Sequence, residues 1–288
     1  MTELKIEDMY VRQITKNVAE AFVRKHHYTK RLSSARYTLG LYCKNTAKHS
    51  FFGGDQSELI GCIVYGHPVS NATVTSIFKT IPLDLSAVLE LTRLVVIDGT
   101  QKNTETWFIG QSFQWLRDND PNVRVLISYA DPEQNHTGVI YRASNWLYQG
   151  CGAGKLMADF SVRLGEEGPW IHSRTVGSMY GSRGLESLAE TIGSTFWQKQ
   201  EMPKHRYIYF LCSAKETKKL IPDLVIPILP YSQIVHPKQI IRKINVVDGK
   251  ITGIDVIQGM DTGWKVAEVY NTSLKKTRGE NGQEKGSY

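Results

Sequence analysis

Asp131 is the carboxylate whose surroundings most suggest chemistry. It stands in the stretch Ser128-Tyr129-Ala130-Asp131-Pro132-Glu133-Gln134-Asn135-His136-Thr137-Gly138. Val123, Val125 and Ile127 alternate ahead of it, which predicts a buried strand. Pro132 has no N–H for a ladder and holds its predecessor extended, so the strand must stop at Asp131. Thr137 then caps a helix whose apolar side is Val139, Ile140 and Ala143. A carboxylate is left at the C-terminal edge of a strand, the edge at which α/β sheets hold ligands. There it is placed to accept a proton. The plainer alternative is a strand–loop–helix joint whose Asp131 and Asn135 only satisfy loop backbone groups.

The second chemical signal is Glu90-Leu91-Thr92-Arg93 inside the apolar run 89–97. Burying either charge without a partner costs several kcal/mol, so each must pair, hydrogen-bond or reach a ligand. Residues three apart face opposite sides of a flat strand, and their mutual pairing requires a β-bulge between them. A structural ion pair is the bland reading.

Around these residues the periodicity predicts alternating elements. A strand at 9–14 leads to a helix capped by Thr15, with Val18, Ala21 and Phe22 inward, and ending at Arg24-Lys25-His26-His27-Tyr28. Strands near 36–43 and 59–66 form a hairpin across a polar loop, 44–58. Asn103 and Thr104 read as caps of a helix over 104–117, and Asp118-Asn119-Asp120-Pro121 stops it. The helix after Thr137 is expected to end near 146–148. A strand at 155–163, a loop-rich 166–182, a short helix at 185–193 and a strand at 207–212 follow. Asp248-Gly249 signals a tight hairpin within 244–252. The expected organisation is a catalytic domain over 1–240, a small β-hairpin extension over 241–272, and a disordered polar tail over 273–288. The fold class is α/β (α+β): a mixed, twisted central sheet flanked by helices, with a small C-terminal β appendage.

Composition narrows the function classes. The 288 residues are 41% hydrophobic, with six Trp and fourteen Tyr, which argues against disorder. No apolar run is long enough to cross a membrane and the N-terminus lacks a signal-peptide core. The four cysteines have no short spacing, so they suggest neither a zinc knuckle nor a disulfide framework and fit a cytoplasmic protein. A net charge of +7 suits a polyanionic partner. The basic residues cluster over 24–36, including Lys25, Lys30 and Arg31, and again over 199–219, including Lys204, His205 and Arg206.

The motifs Arg24-Lys25-His26-His27-Tyr28, Glu90-Leu91-Thr92-Arg93-Leu94, Ser128-Tyr129-Ala130-Asp131, His136-Thr137-Gly138, Ile140-Tyr141-Arg142-Ala143-Ser144-Asn145-Trp146 and Lys204-His205-Arg206-Tyr207 together resemble the Mom family of bacteriophage DNA adenine-modification proteins. The order of elements resembles the GNAT superfamily of acetyltransferases. The resemblance covers roughly 8–230 and implies a GNAT-like fold. It also implies transfer of a carbamoylmethyl (acetamido) group to N6 of adenine in double-stranded DNA, which hides phage DNA from host restriction endonucleases. His27, Arg93, Asp131 and Tyr141 match the family's functional residues. A ferrous ion and an acetyl-CoA-type donor are implied as well.

On that reading Asp131 takes the N6 proton, and Tyr141 donates to a developing oxyanion or shuttles a proton. Arg93 clamps an anionic part of the donor. Arg93, Asn103, Thr104 and Tyr141 are the candidate cofactor contacts, with the amides that open the 104–117 helix as an anion site. His27, Asp131 and His136 are the candidate iron ligands, in the two-His, one-carboxylate pattern. Lys25, Lys30, Arg31, Lys204, His205 and Arg206 are the candidate DNA contacts. Tyr28, Tyr129, Tyr141, Trp146 and Tyr148 offer surfaces for a flipped base. A homodimer is compatible with all of this. One departure is that Asp98-Gly99-Thr100-Gln101-Lys102-Asn103 stands where acetyltransferases carry a glycine-rich pyrophosphate loop. The competing readings are a conventional acyl-CoA-dependent acetyltransferase acting on a small amine or peptide, and a catalytically silent nucleic-acid-binding module.

Overall fold

The computed structural model describes residues 3–32, 34–44, 57–152, 159–234 and 239–258. Residues 45–56 of the expected loop 44–58, the start of the strand expected at 155, the far end of the expected extension and the polar tail lie outside them. The chain forms two compact units. The first comprises Met1–Ala130, Gly138–Gly150 and Arg206–Gln233, and the second Asp131–Thr137, Cys151–His205 and Ile234–Tyr288. Strands and helices are numbered along the chain.

The first unit is built on a seven-stranded sheet of β1 (Met9–Gln13), β2 (Tyr37–Lys44), β3 (Ser57–Gly66), β4 (Val88–Val96), β5 (Val125–Ala130), β10 (His205–Phe210) and β6 (Leu147–Cys151), in that spatial order. Its helices are α1 (Lys16–His26), α2 (Asn71–Thr75), α3 (Thr104–Asn119), α4 (Val139–Ala143) and α7 (Ala214–Leu220). Strands β1 to β4 are antiparallel, whereas β4 and β5 run parallel.

Helix α1 starts at Thr15, whose hydroxyl accepts from the Val18 amide as expected. Its buried face is Ala19, Phe22 and Val23 packed on Cys62 and Val64 of β3; of the expected Val18, Ala21 and Phe22, Phe22 lies on it and the other two are exposed. Val18 is exposed, because the chain enters the helix turned by one residue from the simplest spacing. The next side chain of β3, Tyr65, reaches the opposite face and its hydroxyl lies 2.7 Å from Ser112 of α3. Successive strand residues point to opposite faces, so α1 and α3 cover the two sides of one sheet. The expected mixed α/β sheet flanked by helices therefore forms. Beside α1's face, Val88, Val125, Ile127, Ile208 and Phe210 make a second apolar cluster with α7's Leu220. Each large side chain buried there stabilises by roughly 1.5–3 kcal/mol.

Three local expectations are corrected. Asn103 and Thr104 do not cap α3 through their side chains: Asn103 sits in the left-handed region, and the Thr104 hydroxyl donates to the Gln101 carbonyl. Gly138, at φ +80, precedes α4 in the place expected for Thr137. Helix α4 ends at Ala143, and Asn145 at φ +61 turns the chain into β6, a strand where helix was expected.

The second unit carries a five-stranded sheet ordered β12 (Lys250–Gln258), β11 (Ile241–Val247), β9 (Phe196–Gln200), β7 (Phe160–Leu164) and β8 (Ile171–His172). Helices α5 (Ser173–Tyr180) and α6 (Leu185–Ile192) cover one face through Val176, Leu188 and Ala189. Helix α5 occupies a stretch expected to be loop. The expected Asp248-Gly249 hairpin forms, both residues having positive φ as a primed turn demands. It is not an appendage, because β11 pairs with β9 from Ile241↔Lys199 to Ile244↔Phe196.

Candidate functional site

In the first unit the pairing of β4 with β5 runs from Val88↔Val125 only to Leu91↔Ser128, although both strands continue. The parallel strands part at that point, at their C-terminal ends. Such a parting opens a cleft where side chains from both strands can reach a ligand. Ser128 marks it: its Oγ lies 2.9 Å from the Leu91 carbonyl and 2.7 Å from the Tyr141 hydroxyl. A serine has one proton, and a carbonyl can only accept. When Ser128 donates to Leu91, the Tyr141 phenol donates to Ser128.

Tyr141 is buried among Trp146 and Tyr207, at centroid distances of 5.2 and 5.0 Å. Burial pushes its pKa up to about 12, against a smaller opposing effect of the Ser128 hydrogen bond. At neutral pH the group is a phenol, a donor and not a base. The approach of α4 to β10 depends on Gly138, where an added Cβ would fall 2.4 Å from Tyr207 ring carbons.

On β4 the required bulge is present. Tyr65 pairs with Leu91 and Val64 with Arg93, leaving Thr92 as the extra residue. The bulge turns Arg93 to the face of Glu90. Burial lowers the Arg93 pKa, while Tyr28 and Glu90 act to raise it. Its Nε donates to the Arg31 carbonyl at 2.9 Å and its Nη1 to the Thr92 carbonyl at 2.5 Å. Arg93 thus ties the Arg31 carbonyl to β4 through its Nε.

His27 closes α1. Its Nδ1 accepts from the Thr29 amide at 3.2 Å, so the neutral ring carries its proton on Nε2. Tyr28 stacks on it at 4.3 Å and is 48% exposed, the only one of the five aromatics considered for base stacking that is exposed. Tyr141, Trp146 and Tyr148 are core residues instead. Lys25, Lys30 and Arg31 are exposed nearby in sequence.

His205 and Arg206 are corrected as surface DNA contacts, because they are 0% and 3% exposed. Side chains alternate along β10, so Tyr207 and Tyr209 face α3 and α4, while Arg206 shares the side of Ile208 and Phe210. Tyr129 of β5 packs against that same cluster. Burial lowers the Arg206 pKa, and Tyr129 and Glu90 act to raise it. The Arg206 Nε is buried with no hydrogen-bond partner among the described residues. Sequence reasoning placed Arg206 on a basic surface, and the only local hint otherwise was its place in a strand-forming run.

In the second unit Asp131 accepts from the Glu133 amide at 3.1 Å and meets the Lys204 ammonium at 2.8 Å. Its carbonyl holds the amides of Gln134 and His136, both at 3.1 Å. Glu133 fastens the same loop by accepting from the Met202 amide and the Gln239 side chain, each at 3.3 Å. The expected iron ligands His27, Asp131 and His136 do not form a set, since no group of three His, Cys, Asp or Glu able to hold a metal occurs among the described residues. The Asp131 carboxylate is paired with Lys204, and the His27 Nδ1 lone pair is taken by Thr29. These residues do not fit the ion.

The expected anion site before α3 is also partly occupied. The Gln101 amide donates to Leu4 at 2.8 Å and the Thr104 amide to Gln101 at 3.2 Å. Of the amides that open α3, that of Thr104 is therefore already used within the preceding turn. No helix among the described residues is long and apolar enough to cross a membrane.

Comparison with known proteins gives a match to the Mom protein family over residues 8–233. The protein is similar to Methylcarbamoylase mom of Escherichia phage Mu, with 24% identity over 229 residues covering 78% of this chain and 84% of that protein. Among solved structures, spermidine/spermine N-acetyltransferase SpeG from Vibrio cholerae is 8% identical, with a TM-score of 0.39 over 74% of this chain and 97% of that one. Arabidopsis thaliana NAA60 in complex with acetyl-CoA is 12% identical, with a TM-score of 0.39 over 70% of this chain and 98% of that one.

Proposed function

The chain belongs to the Mom protein family, and on that premise we propose that it is a phage DNA-modifying transferase. Its substrate is double-stranded DNA, its product adenine carrying a carbamoylmethyl group on N6, and its benefit the protection of phage DNA from host restriction endonucleases. The observation that carries the reading is the extent of the family match, which takes in Tyr28, Arg93, Ser128, Asp131 and Tyr141 together.

The adenine amino group is a weak nucleophile and is paired inside the duplex, so the base must be extruded at a cost of a few kcal/mol. The exposed ring of Tyr28 is the stacking surface for it, and Lys25, Lys30 and Arg31 are the phosphate contacts. N6 attacks the methylene carbon of the donor's carbamoylmethyl group. The N6–C bond forms as that carbon's bond to its leaving group breaks, and the leaving group takes the electron pair. N6 gives up one proton, for which Asp131 is the acceptor. The Lys204 ammonium, 2.8 Å from its carboxylate, orients Asp131 beforehand. The Tyr141 phenol, protonated at neutral pH, donates to an oxygen that gains charge in the transition state. The acetyl-CoA-type donor that the family resemblance implies would be held otherwise than by a pyrophosphate loop at 98–103, and no step here is routed through its thioester.

Plasmid from expressing cells, challenged with endonucleases whose sites contain adenine, tests the reading. Protection that disappears in Asp131→Asn supports it, and cleavage equal to that of plasmid from non-expressing cells refutes it.

A further inference from the structure

In the second unit, Phe196 of β9 packs under α5 and α6, so Trp197, the next residue, points to the other face of the sheet. Arg163 of β7 and Lys243 of β11 are the register partners of Trp197 on either side, and paired residues share a face. The Arg163 guanidinium lies 4.8 Å from the Trp170 ring centroid and 5.5 Å from that of Trp197. The Lys243 ammonium lies 5.6 Å from Trp197. Among the described residues these rings are the contacts of both cations: no carboxylate pairs with either, and the Arg163 Nε has no hydrogen-bond partner. Lys199 differs, for Glu133 at 3.7 Å and Glu201 at 4.0 Å neutralise it. Asp255 stands opposite Lys243 in the register, and its carboxylate accepts from the Asn245 side chain at 2.8 Å.

Stacking on a ring fixes a cation in place while leaving its charge and its N–H donors unspent. The planar fork of Arg163 then suits a phosphate, and Lys243 adds a point charge beside it. Neighbouring strands lie about 4.8 Å apart, so cations on the two strands flanking β9 stand roughly 10 Å from each other. That span exceeds one small anion and suits separate charges of a polyanion. The rings themselves are occupied: Trp197 is 9% exposed beneath its cations, so no base stacks on it. We propose that this face is a contact surface for the phosphate backbone of double-stranded DNA, binding it without regard to sequence. The inference rests on the proposed function, which supplies DNA as the substrate, and goes beyond it by giving the second unit a share in holding the duplex. Lys243 lies outside residues 8–233, so the surface is completed by a strand beyond the family match.

The test has two arms. In the first, lysines of the wild-type chain are acetylated with a soluble activated ester, alone, with a random-sequence duplex, or with coenzyme A, and the sites are mapped by mass spectrometry. The duplex is expected to slow modification of Lys243, and coenzyme A to leave it unchanged. A Lys243 rate unmoved by saturating duplex overturns the inference. Protection by coenzyme A equal to that by the duplex also overturns it, for the face is then a small-anion site. In the second arm, Arg163→Gln, Lys243→Gln and the double variant are compared with wild type for duplex affinity between 50 and 200 mM salt, with thermal midpoints measured alongside. Each single substitution is expected to reduce the salt slope by about one unit, and the double by about two. Folded variants that keep the wild-type slope overturn the inference, while an adenine adduct made by the wild type leaves the DNA-modification reading intact. Protection of Lys243 with the expected loss of slope, but no adenine adduct in cells, sinks that reading and leaves the surface standing. The labelling arm uses only the wild-type chain, so a variant that fails to fold does not spare the inference.

Discussion

The hydroxyl of Tyr141 and the Oγ of Ser128 lie 2.7 Å apart where β4 and β5 cease to pair, so a helix side chain is tied to the floor of the parting. Removing the phenol in Tyr141→Phe keeps the ring packing on Trp146 and Tyr207 and leaves Ser128 its Leu91 partner. The stability loss is expected to stay near 0.5–1.5 kcal/mol, whereas modification activity should fall by about 100-fold or more. Urea unfolding alongside adduct quantification separates the two.

The same phenol predicts the alkaline limb of stability. Its folded-state pKa of about 12 lies above the ordinary 10.0, so the folded protein holds this proton longer than the unfolded chain does. The contribution is complete below pH 10 and is lost as pH rises from 10 towards 12. Thermal midpoints between pH 8 and 11 should fall less steeply for Tyr141→Phe than for the wild type. Parallel curves would contradict the assignment.

Gly138→Ala meets two obstacles, a φ of +80 and Tyr207 carbons 2.4 Å from the new Cβ. Backbone strain and overpacking together should cost about 2–4 kcal/mol. Adding Tyr207→Leu should recover part of the loss, because it relieves the contact and not the strain. Strict additivity of the two substitutions in denaturant unfolding would show that the close approach is not the cause.

Burial divides the basic residues once grouped as DNA contacts. Lys25, Lys30, Arg31 and Lys204 are exposed, whereas Arg206 is enclosed. Each exposed residue that meets a phosphate should reduce the salt dependence of DNA binding by about one unit of slope when changed to Ala. Arg206→Lys should leave that slope unchanged. Affinities measured between 50 and 200 mM salt check both statements, at concentrations where the effect is of order 10-fold or more.

Local chemistry made several of these features legible in the sequence. Two charges three residues apart in an apolar strand could face each other only across a bulge, and Thr92 is such a bulge. Pro132 ended β5 where expected, and Asp248-Gly249 produced its hairpin turn. What escaped depended on partners distant in the chain. Leu147–Cys151 is a strand that lies beside β10, whereas the sequence pattern carried the preceding helix on to 146–148. Arg206 reads as part of a basic run until the sheet encloses it, and Asp131 shows no sign of Lys204 at 73 positions' remove. The iron set failed for a similar reason: residue types alone do not bring His27, Asp131 and His136 together.

The most direct measurement is the mass of the adenine nucleoside in DNA digested from cells expressing the protein. The account predicts deoxyadenosine about 57 mass units heavier, the increment of C2H3NO on a base presented to the site, and its loss in Tyr141→Phe. Deoxyadenosine of ordinary mass alongside folded, abundant wild-type protein would contradict it.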